Sequence, residues 1–212
     1  MSPPVHLPRL LVLTDRTQCS GGLPGTVAAA VDAGARAVVL REKDLPLPER
    51  AALAAELQVV LQPVGGVLVW AGLAGSTGAG AVHLSAADAF PDPRPAVVGR
   101  SCHSAEELLR ARAEGCDHAF VSPVFLTASK PGHGPALGLA GLAELVPLGP
   151  PVYALGGIGP DDVAGCLAAG ARGVAVMGGV MRDPSSVRDH LAALAEAVAE
   201  GLAGLAGRRP VG

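Results

Sequence analysis

The chain has 212 residues, half of them hydrophobic and 17% charged, with a formal net charge of −3. That is ample for one domain with a sizeable core, and the apolar share suits parallel strands covered on both faces. The slightly acidic balance gives no footing for nucleic acid or a membrane surface, and no apolar run reaches the length of a membrane span. The four cysteines (Cys19, Cys102, Cys116 and Cys166) form no CxxC or metal-ligand spacing, and read as reduced thiols of a cytoplasmic protein.

In chain order, eight strand-length runs emerge. Four follow a glycine: Gly34-Ala-Arg-Ala-Val-Val-Leu40, Gly78-Ala-Gly-Ala-Val-His-Leu84, Gly115-Cys-Asp-His-Ala-Phe-Val121 and Gly170-Ala-Arg-Gly-Val-Ala-Val176. Each pattern suits a glycine that ends a helix and hands the chain to a strand. The other four are entered through a proline: Arg9–Thr14, Val67–Trp70, Ala96–Ser101 and Val152–Leu155. Alternating the two types, most followed by an Ala/Leu-rich helical pattern, predicts a single-domain α/β fold, a (β/α)8 TIM barrel over residues 1–207 with 208–212 as a tail. A last helix is expected from Pro184 to about Leu205. In such a barrel the active site lies at the C-terminal ends of the strands.

Those ends carry the candidates. Strand seven runs into Gly156-Gly157 and strand eight into Gly178-Gly179, two glycine pairs that let backbone N–H groups approach an anion, with helix N-termini behind them. Tight turns alone would also use glycines there. The chain has only two lysines among its sixteen Lys and Arg residues, Lys43 after strand two and Lys130 after strand six, and both fall in loops at the strand ends. Ser101 and His103 follow strand five, with Ser104 placed as a helix cap. His83 alternates with apolar neighbours and suits a core histidine. His133 lies in a Gly- and Pro-rich loop. His6, His118 and His190 lie away from the strand tips and receive no role.

Taken in order, Leu13-Thr14-Asp15, Leu40-Arg-Glu-Lys-Asp44, Val82-His-Leu84 with Asp88, Gly99-Arg-Ser-Cys-His-Ser104, Ser122-Pro-Val-Phe125 with Thr127 and Lys130, Leu137-Gly-Leu139, Leu155-Gly-Gly-Ile158 and Val174-Ala-Val-Met177 resemble the thiamine phosphate synthase and thiazole tautomerase family over nearly the whole chain. The resemblance implies a barrel that binds a small thiazole phosphate. One branch couples it to a pyrimidine pyrophosphate with Mg²⁺, and the other shifts a proton to aromatise the thiazole carboxylate phosphate. By position, it implies that Arg41 and Lys43 contact pyrophosphate or carboxylate, that Ser101 and His103 line the site, that Thr127, Ser129 and Lys130 reach substrate, and that Gly157, Gly178 and Gly179 hold phosphate.

The chain departs from the synthase branch after strand three, where Val69-Trp70-Ala71-Gly72 replaces an Asn-Asp-Arg run. Only Asp88 then remains as a metal carboxylate, and Mg²⁺ would matter only for a synthase-like reaction. Trp70 is expected to cover a flat ring at the site. This departure favours the tautomerase-like reading, with no cofactor. Yet the position where that branch places a proton-shuttling histidine is Pro123, leaving Glu42, His103 and His133 as candidate acid/base groups among which the sequence does not choose. Coupling of the two substrates and non-catalytic binding of a thiazole or thiamine phosphate stay open as alternatives. A homo-oligomer also stays open.

Overall fold

The computed structural model describes residues 7–126 and 136–206, with side chains through residue 203. Eight parallel strands close into a barrel in sequence order. They are β1 (Leu10–Leu13), β2 (Ala37–Leu40), β3 (Val67–Ala71), β4 (Ala81–Leu84), β5 (Val97–Cys102), β6 (His118–Val121), β7 (Val152–Leu155) and β8 (Gly173–Val176). All eight runs read from the sequence are strands. The helices are α1 (Leu23–Asp32), α2 (Leu47–Leu61), α3 (Ala105–Ala113), α4 (Gly138–Leu145), α5 (Val163–Ala168), α6 (Gly178–Arg182) and α7 (Val187–Ala206).

Three of the four glycines act as expected. Gly34, Gly115 and Gly170 have φ of 116°, 76° and 94° and follow the last residues of α1, α3 and α5. Each closes a Schellman pair, as with Gly34 N–H to Val31 O (3.0 Å) and Ala35 N–H to Ala30 O (2.9 Å). Gly78 departs from the pattern, because residues 72–80 are turns and no helix precedes it. The β4–β5 connection is likewise helix-free, so two of the eight units lack their outer helix.

Strand alternation sorts side chains into two cores. Leu11, Leu13, Val39, Val69, Ala71, Ala81, Val97, Phe120, Tyr153 and Ala175 fill the barrel interior. Leu10, Val12, Val38, Leu40, Trp70, Val82, Leu84, Val98 and Val121 face the helices instead. On β5 this alternation turns Arg100 outward. Its fully buried guanidinium donates to Ser85 O (2.9 Å), Ala86 O (3.2 Å) and Asp88 O (2.8 Å) and pairs with Glu114 (2.6 Å). One arginine thus pins the helix-free loop after β4 to the end of α3. Gly99 makes room in the interior for His118, because a Cβ there would lie 2.1 Å from His118 Nε2.

Gly99→Ala therefore overpacks the interior and should lower stability by about 1–3 kcal/mol in urea denaturation. Gly25, inside α1 with nothing within 4 Å of its Cβ position, is the control. Gly25→Ala should raise stability by about 0.5–1 kcal/mol.

Candidate active site

The C-terminal mouth of the barrel is organised from β1 and β2. Thr14, fully buried, accepts the Arg41 N–H on its hydroxyl (2.9 Å) and donates its own N–H to Val39 O (3.0 Å). Arg16–Gln18 then fold into a 3-10 turn capped by Asp15, which accepts from Thr17 N–H (3.1 Å), Thr17 Oγ1 (2.6 Å) and Gln18 Nε2 (2.7 Å). Despite the opposing effect of burial, these hydrogen bonds and nearby Arg41 hold the Asp15 carboxyl below its usual range.

Arg16 then ties the two loops together. Its N–H and guanidinium reach the two oxygens of Glu42 (3.1 and 3.0 Å), and the same guanidinium grips Asp44 through both oxygens (2.8 and 2.6 Å). Glu42 is only 3% exposed. Both its oxygens are committed, so the geometry makes it a pin that positions Arg41 and Lys43 on either side. Glu42, one of the three candidate acid/base groups, is thus held in an ion pair.

Lys43 is exposed and reaches across the mouth towards β3. A Cβ at Gly72 would lie 3.5 Å from its Cε and 3.7 Å from its Nζ. The inward-facing terminal residue of β3 is Ala71, and the positive charge of Lys43 stands beside that side-chain-poor corner. Trp70 corrects an expectation. Strand parity turns it away from the mouth, under α2, where the buried Arg50 guanidinium lies 4.0 Å from the ring centroid and the indole N–H bonds Ala74 O (2.9 Å). Arg50 also bonds the carbonyls of Leu40 (2.8 Å) and Ala71. The expected ring-covering role is thus replaced by an outer-core cation–π contact.

Asp88 follows β4, and its Oδ2 accepts the Ser85 N–H (2.7 Å). Among the described residues, no group of three His, Cys, Asp or Glu side chains could hold a metal. One carboxylate already accepting a backbone hydrogen bond does not fit a protein-held Mg²⁺.

His103 is exposed; its Nδ1 donates to Ser122 O (2.7 Å), joining the β5 and β6 loops, and its backbone N–H bonds Glu107. Ser104 caps α3 by accepting the Glu107 N–H (3.2 Å), as expected. Ser101 Oγ lies 3.0 Å from His83 Nε2, and His83 Nδ1 lies 3.2 Å from His118 Nε2. Both imidazoles are buried, and burial pushes His118 down to about 4 and His83 well below its usual value. His118 received no role from the sequence, because it was judged by chain position at the start of its strand. The parity that faces it inward was readable.

On the opposite side, Gly156 and Gly157 have φ of 103° and 66°, and a Cβ on Gly157 would lie 2.5 Å from Leu126 O. Phe125 N–H bonds Gly156 O (3.0 Å), so these glycines seat the β6 loop as well as the turn. Gly178 and Gly179 begin α6, directly after β8. A Cβ at Gly178 would meet the ends of two long side chains, Gln18 Oε1 (2.7 Å) and Arg182 (2.9 Å), whereas Gly179 faces open space. Thr127, Ser129, Lys130 and His133 lie outside the described residues.

A closed (β/α)8 barrel with cations on one side of its mouth and glycine-built turns after β7 and β8 belongs to the barrels that handle small anionic ligands at this end. Comparison with known proteins narrows the class. Residues 10–180 match the family model described as thiamine monophosphate synthase, and the chain belongs to that family. A thiamine-phosphate synthase of Anaeromyxobacter dehalogenans is 40% identical over 182 residues, 80% of this chain and 81% of the relative. A thiamine biosynthesis bifunctional protein of Symbiobacterium thermophilum is 38% identical over 181 residues, where the match spans 78% of this chain but only 37% of that relative. Among solved structures, a thiamine phosphate pyrophosphorylase from Pyrococcus furiosus superposes with a TM-score of 0.77 at 26% identity, covering 90% of this chain and 96% of its own.

The buried imidazoles set the acid response. A histidine whose folded-state pKa is depressed takes up its proton more readily when unfolded. Stability is therefore full above the unfolded value of 6.5 and falls as pH drops towards the folded value, about 4 for His118. The loss should be on the order of 3 kcal/mol across that window. His118→Phe should flatten the acid limb of stability against pH.

Proposed function

We propose that this protein is a transferase that couples a hydroxymethylpyrimidine pyrophosphate to a thiazole phosphate, forming thiamine phosphate and releasing pyrophosphate. The observation that carries the reading is the cationic side of the mouth, where Arg41 and Lys43 flank a Glu42 pinned by Arg16. Glu42 is held by Arg16, and His103, which donates from Nδ1 to Ser122 O, has Nε2 as its remaining base. Pro123 stands where a tautomerase would place its histidine. A proton shift needs a titratable group in reach. The coupling does not. The thiazole nitrogen forms a bond to the pyrimidine methylene carbon, the carbon–oxygen bond to pyrophosphate breaks, and its electron pair leaves with the pyrophosphate.

What that reaction does need is positive charge for the departing group and correct placement of two bound partners. Arg41 and Lys43, held by the Thr14 and Glu42 contacts, supply the charge. The Gly157, Gly178 and Gly179 amides supply the phosphate seat of the thiazole, next to the N-terminus of α6. The names of the relatives support the same reading over the tautomerase one. The shortage of carboxylates at β3 pointed the sequence reading the other way. Because the described donors do not fit a protein-held Mg²⁺, the residues themselves are assigned the charge stabilisation and no step passes through a metal.

The test combines two assays: thiamine phosphate formation from both substrates, with and without Mg²⁺, and proton exchange on the thiazole carboxylate phosphate. Coupling above background is the expected result. Exchange without coupling would restore the tautomerase reading, and silence in both would favour a non-catalytic binder.

Two variants follow. Lys43→Ala should reduce kcat/KM about tenfold to a hundredfold, since a charge-assisted hydrogen bond contributes about 1.5–3 kcal/mol, while thermal stability changes little. Gly178→Val displaces only the flexible ends of Gln18 and Arg182. It should keep the fold and lose thiazole phosphate binding, as read by calorimetry; unchanged affinity would remove Gly178 from the phosphate seat.

A further inference from the structure

Inside the barrel, a row of polar groups runs from the middle of the interior to its mouth. His118 on β6, His83 on β4 and Ser101 on β5 are joined by contacts of 3.2 and 3.0 Å. The row is built tightly. His83 stacks on Phe120 with ring centroids 3.8 Å apart, His118 meets Tyr153 edge-on at 5.7 Å, and Gly99 leaves the space that the His118 ring fills. His118 Nδ1 is buried and has no hydrogen-bond partner.

That orphaned atom decides which way the protons point. A neutral imidazole carries one N–H and one lone pair. If His118 carried its proton on Nδ1, a buried donor would go unmet, which is the rarer and costlier fault. With the proton on Nε2, the donor meets His83 Nδ1 and only a lone pair is stranded. His83 Nδ1 then accepts, so the His83 proton sits on Nε2 and is donated to Ser101 Oγ. Ser101 has its oxygen engaged from below, and its own O–H is left to be donated into the mouth. Burial, which disfavours charging either ring, keeps both in the neutral form this chain requires.

We propose that His118 is a positioning residue that, acting through His83, fixes the hydrogen-bond polarity of Ser101, so that Ser101 meets the substrate as a donor and selects a group with an acceptor edge, such as a pyrimidine ring nitrogen. The substrate half of this statement rests on the coupling reaction proposed above. The tautomer half does not.

The experiment has two arms. Long-range ¹H–¹⁵N correlation spectra of the free, labelled protein at neutral pH read the tautomers directly. Both His83 and His118 should carry the proton on Nε2, and His118→Phe should shift His83 away from that single form. A proton on His118 Nδ1 would overturn the proposal. The second arm measures pyrimidine pyrophosphate affinity for the wild type, Ser101→Ala, His118→Phe and the double variant. Each single change should weaken binding about tenfold, and His118→Phe should have no further effect once Ser101 is gone, because both act through one hydroxyl. Additive losses would overturn the assigned polarity. The expected tautomers in a protein that binds neither substrate would uphold the relay and contradict the proposed function alone.

Discussion

Closure of eight parallel strands into a ring fixes, residue by residue, which side chains point inward. With an alternation of two, a one-residue change of register exchanges the interior set for the helix-facing set. That constraint turns Ala71, His83 and Ser101 into the barrel while sending Trp70 and Arg100 outwards. It also explains why glycine is needed at 99, opposite the inward His118 on the neighbouring strand. The mouth is what this alternation leaves at the C-terminal edge, and the loops are then fastened to it by a few arginines rather than by regular structure.

Those arginines do different work. Arg16 and Glu42 bind the β1 and β2 loops to each other, and so fix the cationic side of the mouth. Arg50 holds the ends of β2 and β3 from α2, and Arg100 holds the loop after β4, where no helix covers the strand. Arg50 and Arg100 donate to main-chain carbonyls that a helix or ladder would otherwise satisfy. The composition rich in arginine and poor in lysine fits this use, since a planar guanidinium can serve several carbonyls at once. Among the described residues, lysine stands in the loop after β2, as Lys43.

Much of this was legible in the sequence. Gly34, Gly115 and Gly170 announced helix ends because αL geometry requires a residue without Cβ, and the apolar runs after them could only be buried strands. The glycine pairs after β7 and β8 and the cap at Ser104 were equally plain. Gly78 misled because the same residue serves a turn as readily as a helix end. Trp70 misled because its place in a motif was read without its parity, although Val69 and Ala71 on either side already marked the inward set. The ties of Arg16 to Glu42, and of Arg100 to the β4 loop, join residues 26 and 12–15 positions apart, and only the folded barrel brings them together. The same distance hid the row from His118 to Ser101.

The proposed function places its phosphate ligand at the C-terminal edge of the barrel. Backbone ¹⁵N–¹H spectra recorded while thiazole phosphate is added test this most directly. The largest shifts are expected on Gly157, Gly178 and Gly179, with smaller ones at Lys43 and Ser101. Shifts centred instead on the opposite face, around Arg9, Gly170 and Arg172, would contradict that placement.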